Sequence, residues 1–484
     1  MKITELDPKC VWKNFYELTK IPRPSKHEEK VADYLYQFGR KLGLETVRDE
    51  AGNVIIRKPA TPGMENRKGI ILQGHMDMVP QKDGDVIFDF TKDAIQPRIE
   101  GEWVYATGTT LGADDGMGVA VALAVLESTD LSHGPLEALF TVDEETGMTG
   151  ARALKPGLLR GDILVNLDSE TEGELYVGCA GGLDCDASFS YSRERIPSGY
   201  KALKIEASGF VGGHSGMDII LCRANANKVM TRIILPLLRD TGAVLVSMNG
   251  GNMRNSIPRE CEAVIAVPSD KYDKASEKIA EIAEAVKSEY SATDKDQKIE
   301  VSPVAVPAAA ISGKDALNII KAIYGCPDGV ERMSDEMPGM VETSNNMAIV
   351  STDEKAVHVI TLMRSSVDSA KYNLAEKIRS VLELGGAEVK FSGGYSGWNP
   401  NMESPILKEM ISVYEGLFGK PAKVMSIHAG LECGILGATY PNWDMVSTGP
   451  TLKSPHSPME RCEIKSVAKL WKFITAVLEK APEK

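Results

Sequence analysis

The sequence predicts an α/β fold in which a discontinuous domain, built on a mixed sheet flanked by helices, is interrupted by an inserted α+β domain with an internal pseudo-repeat. Three observations predict it. Apolar runs with strand character alternate with helical patterns in the first part of the chain. From Leu183 the texture changes to long amphipathic helices between strands, and the α/β texture resumes after the Gly-rich segment SGGYSGWNP, residues 392–400. At 484 residues the chain also exceeds the size at which one hydrophobic core keeps growing, so more than one domain is expected. The boundaries follow as 1–182, 183–397 and 398–484.

A helical stretch runs to about Lys20, and Ser25 and Glu28 have the S-x-x-E spacing of a capping box opening the next helix, VADYLYQFGRKLG. Strands are read at NVIIR, GIILQG, LEALFTV and DILVNL, with the small and apolar helix GMGVAVALAVLE among them. In the inserted part, helices ANANKVMTRIILPLLRD and YDKASEKIAEIAEAVKSEY lie among strands AVLVSMNGG, CEAVIAVP and KIEVSPVAV. A second set follows: helix KDALNIIKAIYG, strands NNMAIVS and AVHVITLMR, helix KYNLAEKIRSVLEL and strand AEVKFSG. Strands AKVMSI and MVST and the helix KSVAKLWKFITAVLE complete the chain.

Composition narrows the function classes. A net charge of -13 argues against nucleic-acid and anionic-membrane partners, which call for a basic face. The first residues lack the apolar core of a secretion signal and no run of about 18 apolar residues occurs, so a cytoplasmic location is expected. The eight cysteines form no C-x-x-C pair and read as buried small apolar residues.

Chemistry gathers at strand ends. GIILQG runs into His75-Met76-Asp77; Asp114 and Asp115 precede a helix; LEALFTV delivers Asp143, Glu144 and Glu145; DILVNL ends at Asp168; and His456 lies in a Pro-rich loop before the last helix. Each has an ordinary explanation alone, as a loop histidine, a helix-dipole acid or a solvated acidic loop. The recurrence carries the case, because carboxylates gathered in one crevice repel unless cations neutralise them, and a mixed His and carboxylate set suits zinc. Two metals about 3.5 to 4 Å apart need a carboxylate between them.

In this order HMDMVP, GTTLGADDG, FTVDEETGMTGA, VNLDSE, GGHSG, GGNMRNSIPRE, HAGLECG and PHSPMER resemble the dizinc family of aminoacylases, glutamate carboxypeptidases, acetylornithine deacetylase and carnosinases. The resemblance is closest to its bacterial aminoacyl-histidine (Xaa-His) dipeptidases and spans essentially the whole chain. It implies a catalytic domain plus a lid, here the inserted segment, and a dipeptidase acting on small peptides such as β-Ala-His. Two divalent ions per chain are implied; zinc is expected, and manganese and cobalt suit similar ligands. His75 and Asp168 would hold one ion, Glu145 and His456 the other, and Asp114 would bridge, followed by a cis peptide to Asp115. Asp77 would orient His75, and Glu144 would be the general base, taking a proton from the metal-activated water and returning it to the leaving amine. The resemblance gives the oxyanion to His214 and substrate contacts to Asn255, to Arg364 on a C-terminal carboxylate and to Glu432 on the α-amine. A homodimer is compatible with it, and the doubled length of the insert leads to the expectation that His214 serves its own chain. His428 is placed near the pocket, and His27, His133 and His358 in loops or on the surface. The competing readings are an N-acyl amino-acid deacylase or carboxypeptidase on the same fold, a two-metal phosphoesterase, and a non-catalytic metal-dependent binding protein.

Overall fold

A computed structural model describes residues 2–484, which form two compact units. The first comprises residues 2–178, Pro400–Ser426 and Leu431–Lys484, and the second Cys179–Asn399 with the short return Ile427–Gly430.

The first unit is built on an eight-stranded mixed sheet. In spatial order its strands are Glu45–Arg48, Val54–Lys58, Leu136–Thr141, Ile70–His75, Ile163–Asn166, Asp444–Ser447, Glu174–Cys179 and Lys423–Ile427. Ile70–His75 runs parallel to both of its neighbours, and Asp444–Ser447 runs parallel to Ile163–Asn166. Parallel strands covered on both faces read as continuous apolar runs, and every residue of the Leu136–Thr141, Ile70–His75 and Ile163–Asn166 strands is buried. The helix Ala113–Glu127 is buried on all sides up to Leu126, as its uniformly apolar composition requires. Each of its buried Val and Leu side chains contributes about 1.5–3 kcal/mol. A smaller four-stranded sheet joins Leu452–Lys453, Arg461–Glu463, Trp103–Ala106 and Pro97–Glu100. Its pairs Arg461↔Tyr105 and Cys462↔Val104 register the C-terminal segment against the strand that leads into the Gly108 loop.

The second unit is built on an antiparallel nine-stranded sheet with four helices, beside two small two-stranded sheets. Ala226–Asp240, Val244–Gly250, Cys261–Pro268, Tyr272–Glu289 and Lys298–Val304 form a helix, two strands, a helix and a strand. Gly313–Gly325, Val341–Thr352, Ala356–Ser365, Asp368–Leu384 and Glu388–Tyr395 repeat that order. The sheet order is palindromic in these roles. From the middle outward, Val244–Gly250, Cys261–Pro268, Tyr200–Ser208 and Lys298–Val304 answer to Val341–Thr352, Ala356–Ser365, Gly181–Ser190 and Glu388–Tyr395. All four helices feed one apolar core, which includes Met230, Ile279, Ile320 and Ile378.

Two local expectations are corrected, a third holds in part, and one helix goes unread. Ser25 does not cap the second helix, which spans Glu29–Lys41 without a side-chain cap; its hydroxyl goes to Asp77 instead, a tertiary partner outcompeting a local one. Cys222 is exposed and Cys10 half-buried, whereas the other six cysteines are buried and all eight are free. His133 lies in a loop but is buried, because its backbone is tied to Thr61 in both directions. The helix Pro405–Phe418 goes unread in the sequence, although Ser404 caps it and Pro405 stands in its first turn, the usual start signal.

Candidate metal centre

Three adjacent parallel strands deliver the acids and one histidine at their C-terminal ends, where open α/β sheets place ligands. His75 is the last residue of its strand; Glu144 and Glu145 follow the strand ending at Thr141; Asp168 follows the strand ending at Asn166. Asp114 sits in the first turn of the Ala113–Glu127 helix, and its peptide to Asp115 is cis. His456 lies between the short strands Leu452–Lys453 and Arg461–Glu463 with a left-handed φ of 59°.

These side chains converge. Asp114 Oδ1 is 3.1 Å from His75 Nε2, and Asp114 Oδ2 is 3.2 Å from His456 Nε2. Asp168 Oδ1 joins the His75 side at 3.5 Å, and Glu145 Oε2 joins the His456 side at 3.0 Å. Each imidazole therefore faces two carboxylate oxygens with a single Nε2 position, so protons cannot satisfy the set. Glu145 Oε1 is buried with no hydrogen-bond partner. Two nitrogen and three carboxylate donors with an unpartnered oxygen fit divalent cations, and donor atoms of His75, Asp114 and Glu145 lie within 4.8 Å of one another.

The electrostatics agree. Burial, then the charges of Asp168, Glu145 and Glu432, raises the Glu144 carboxyl well above its ordinary range, only partly offset by His75. Burial likewise pushes Asp168 up to about 8. Asp114 is held low in spite of burial by the hydrogen bonds of His456 and His75. Bound cations relieve such a crowd of acids.

Asp77, fully buried, organises the rim. Its Oδ1 lies 3.3 Å from His75 Nδ1, and its carboxylate accepts the backbone N–H of Glu144 at 3.1 Å, that of Glu145 at 3.4 Å and the Ser25 hydroxyl at 2.7 Å. One acid thus addresses both His75 and the turn carrying Glu144 and Glu145. Beneath, a buried polar row crosses the strand ends. Glu432 Oε2 accepts from Gln73 at 2.6 Å and Thr141 at 2.7 Å, Gln73 accepts from Asn166 at 2.6 Å, and Ser447 donates to Asn166. Glu432 is wholly buried, and its Oε1 has no partner.

His214, Asn255 and Arg364 lie in the second unit. His214 pairs with Ser256 in a two-residue strand, and its Nδ1 accepts the N–H groups of Gly216 at 3.1 Å and Met217 at 3.0 Å. That leaves the ring proton on Nε2. Burial and the Arg364 charge push its pKa down to about 4, so the ring is neutral at pH 7. Arg364 is buried. It donates to Ser215 Oγ and the Tyr395 hydroxyl, each at 3.3 Å, and makes no ion pair among the described residues. Asn255 is exposed and its carbonyl accepts Ser215 N–H. His428 belongs to the same neighbourhood: it is buried, bonds Ser344 at 2.7 Å, and its backbone passes so close to Gly216 that a Cβ there would lie 2.0 Å from His428 O.

The sequence matches the profile of Peptidase family M20/M25/M40 over residues 71–480. It is 44% identical to the cytosol non-specific dipeptidase of Escherichia coli (strain K12) over 100% of both chains. Among solved structures, aminoacylhistidine dipeptidase from Vibrio alginolyticus aligns with a TM-score of 0.96 and 47% identity, covering 100% of this chain and 99% of that one. A tripeptidase from Staphylococcus aureus subsp. aureus Mu50 shares the fold, with a TM-score of 0.58 at 17% identity over 98% of this chain and 99% of its own. The profile match over most of the chain and the end-to-end similarity to the Escherichia coli protein make this chain a member of peptidase family M20/M25/M40.

Proposed function

We propose that the chain is a dipeptidase that uses two divalent metal ions to cleave small peptides, Xaa-His dipeptides such as β-Ala-His among them. One observation carries the reading: Asp114 turns one carboxylate oxygen toward His75 and the other toward His456, and each histidine is accompanied by a second acid. His75 and Asp168 would hold one ion, Glu145 and His456 the other, with Asp114 between them. Zinc is the expected metal, and manganese and cobalt suit the same donors. When bound, such ions polarise a carbonyl oxygen and lower the pKa of a water held at the site.

The chain's own groups do the rest. Glu144, which our reading leaves free of metal, accepts a proton from the attacking water and returns it to the departing amine nitrogen. Asp77 orients His75 and, through the amides of Glu144 and Glu145, keeps the base in register with its neighbouring ligand. We assign the second unit the part of a lid with the substrate-side roles: the neutral His214 offers its Nε2–H to the oxyanion, Arg364 takes a C-terminal carboxylate, and Asn255 contacts substrate. Glu432 is assigned the α-amine through its unpartnered oxygen.

The test is turnover of a dipeptide panel with free N-termini, including β-Ala-His, against N-acetyl amino acids and a phosphate ester, on metal-reconstituted protein with and without chelator. Chelator-sensitive cleavage of free dipeptides is expected. Preference for N-acetyl amino acids or the phosphate ester, or undiminished activity after metal removal, would overturn the reading.

A further inference from the structure

Two buried groups outside the ligand set hold three ligand-bearing segments together. Glu460 is 1% exposed, and its carboxylate accepts four consecutive backbone N–H groups: Oε2 from Leu111 at 2.7 Å and Gly112 at 2.9 Å, Oε1 from Ala113 at 2.7 Å and Asp114 at 3.2 Å. These amides form the entry to the Ala113–Glu127 helix, whose own N-cap, Gly112, offers no side-chain acceptor. Glu460 thus supplies from a distant segment the anion that a helix N-terminus favours. Arg23 is 2% exposed. Its Nη1 donates to the carbonyls of Met76 at 3.1 Å and Asp77 at 2.8 Å, and its Nη2 to that of Gly112. Gly112 has a φ of 69°, and a Cβ on it would lie 2.7 Å from Arg23 Nη2, so a glycine is required at this crossing.

We propose that Glu460 and Arg23 are positioning residues that preset the metal-binding geometry. Arg23 fixes the His75–Asp77 strand end to the Gly112 turn, and Glu460 fixes that turn to the segment four residues beyond His456. Asp114 can bridge two ions only if both of its oxygens are aimed correctly, and its own N–H is one of the four held by Glu460. The acids would otherwise drift apart through mutual repulsion, so the brace meets the ordering cost before metal arrives. The proposal rests on the metal site proposed above.

The test is metal affinity, measured by zinc titration against a chromophoric chelator, in wild type, Glu460→Gln and Arg23→Lys, with melting of apoprotein and holoprotein alongside. Glutamine keeps the size of glutamate but turns an NH2 toward one pair of amides, and lysine keeps the charge but cannot reach three carbonyls in a fixed fork. We expect Glu460→Gln to weaken zinc binding about 10- to 100-fold, the range for groups that orient ligands. Arg23→Lys should weaken it less, and the melting temperature should fall more with zinc than without it. A zinc affinity within about twofold of wild type in a folded variant, or an equal melting loss in both forms, would make the pair merely structural and overturn the proposal. Should Glu460→Gln fail to fold, Arg23→Lys decides by the same criteria. Failure of the wild type itself to bind zinc would sink the metal-site reading, a separate outcome.

Discussion

The first unit carries its reactive groups on the ends of adjacent buried strands, whereas the second carries His214 in a two-residue strand and Asn255 in an exposed loop. In the first, each side chain answers to several tertiary partners: Asp77 alone gathers His75, Glu144, Glu145 and Ser25. In the second, His214 has fewer distant anchors: its ring and main chain are set by Gly216, Met217 and Asp218, all within four residues, besides the two-residue pairing with Ser256. The difference suits a division of labour. Metal ligands demand fixed geometry, while groups that meet a variable substrate can sit on segments with lower cost of local adjustment.

The sharpest way to break this division is to remove a reactive group from the rigid side without touching a metal donor. Glu144→Gln should keep close to two metals per chain and lose about 10²- to 10⁴-fold in kcat, the range for a positioned general base. Metal analysis paired with kinetics decides it, and near wild-type kcat would sink the role given to Glu144. In the second unit, His214→Ala should cost about 10²- to 10³-fold in kcat, the effect of one oxyanion donor, with metal content unchanged. The palindromic sheet sharpens this prediction. We propose that the second strand and helix set of the same chain takes the place of a partner's lid. His214 should therefore act within its own chain, and mixing His214→Ala with Glu144→Gln under verified subunit exchange should recover no activity; recovery would show action in trans.

Arg364 gives a smaller effect and a different signature. It is buried without an ion pair among the described residues, held only by Ser215 and Tyr395, so a substrate carboxylate would find its charge uncommitted. Arg364→Met should raise KM for dipeptides about 10- to 100-fold, since a charge-assisted hydrogen bond contributes roughly 1.5–3 kcal/mol. The effect should shrink for dipeptide amides, which lack the carboxylate; an equal loss on both substrates would make Arg364 structural.

Much of the first unit was legible because a buried parallel strand announces itself as an apolar run, and a polar residue at its end stands out. His75, Glu144, Glu145 and Asp168 are of this kind. Glu460 was not legible: its partners are main-chain amides 346 to 349 residues earlier, which leave no side-chain pattern. Ser25 was misread because a capping spacing is a local signal, and the Asp77 contact that overrides it is a tertiary one. The burial of His428 escaped for a related reason. The segment Ile427–Gly430 leaves the first unit's strand order to join the second, and nothing in its composition marks that return. The repeated helix and strand order of the second unit, by contrast, was visible as amphipathic periodicity, since both sets bury one helix face on one sheet.

The smallest expected effect concerns that return. His428 is 6% exposed, bonded to Ser344, and faces the charge of Arg364 and the ring of His214. Burial first, then those two neighbours, depresses its pKa to about 3, so it is neutral in the fold throughout the working range. In the unfolded chain the ring takes up a proton below about pH 6.5. Its contribution to stability is therefore complete above that pH and is lost progressively as the pH falls toward 3, at most about 1.4 kcal/mol per pH unit. Glutamine can accept from or donate to Ser344 and does not titrate. Holoprotein unfolding in urea at pH 6.5 and pH 4.5 should show wild type losing about 2 kcal/mol more than His428→Gln over that interval. The metal-site histidines and the remaining acids titrate in both proteins, so the difference between them isolates His428. At pH 7 the two should differ by no more than the lost ring packing. Parallel pH curves for the two proteins would mean that the ring is protonated in the folded state, and that the Arg364 neighbourhood is wetter than its burial implies.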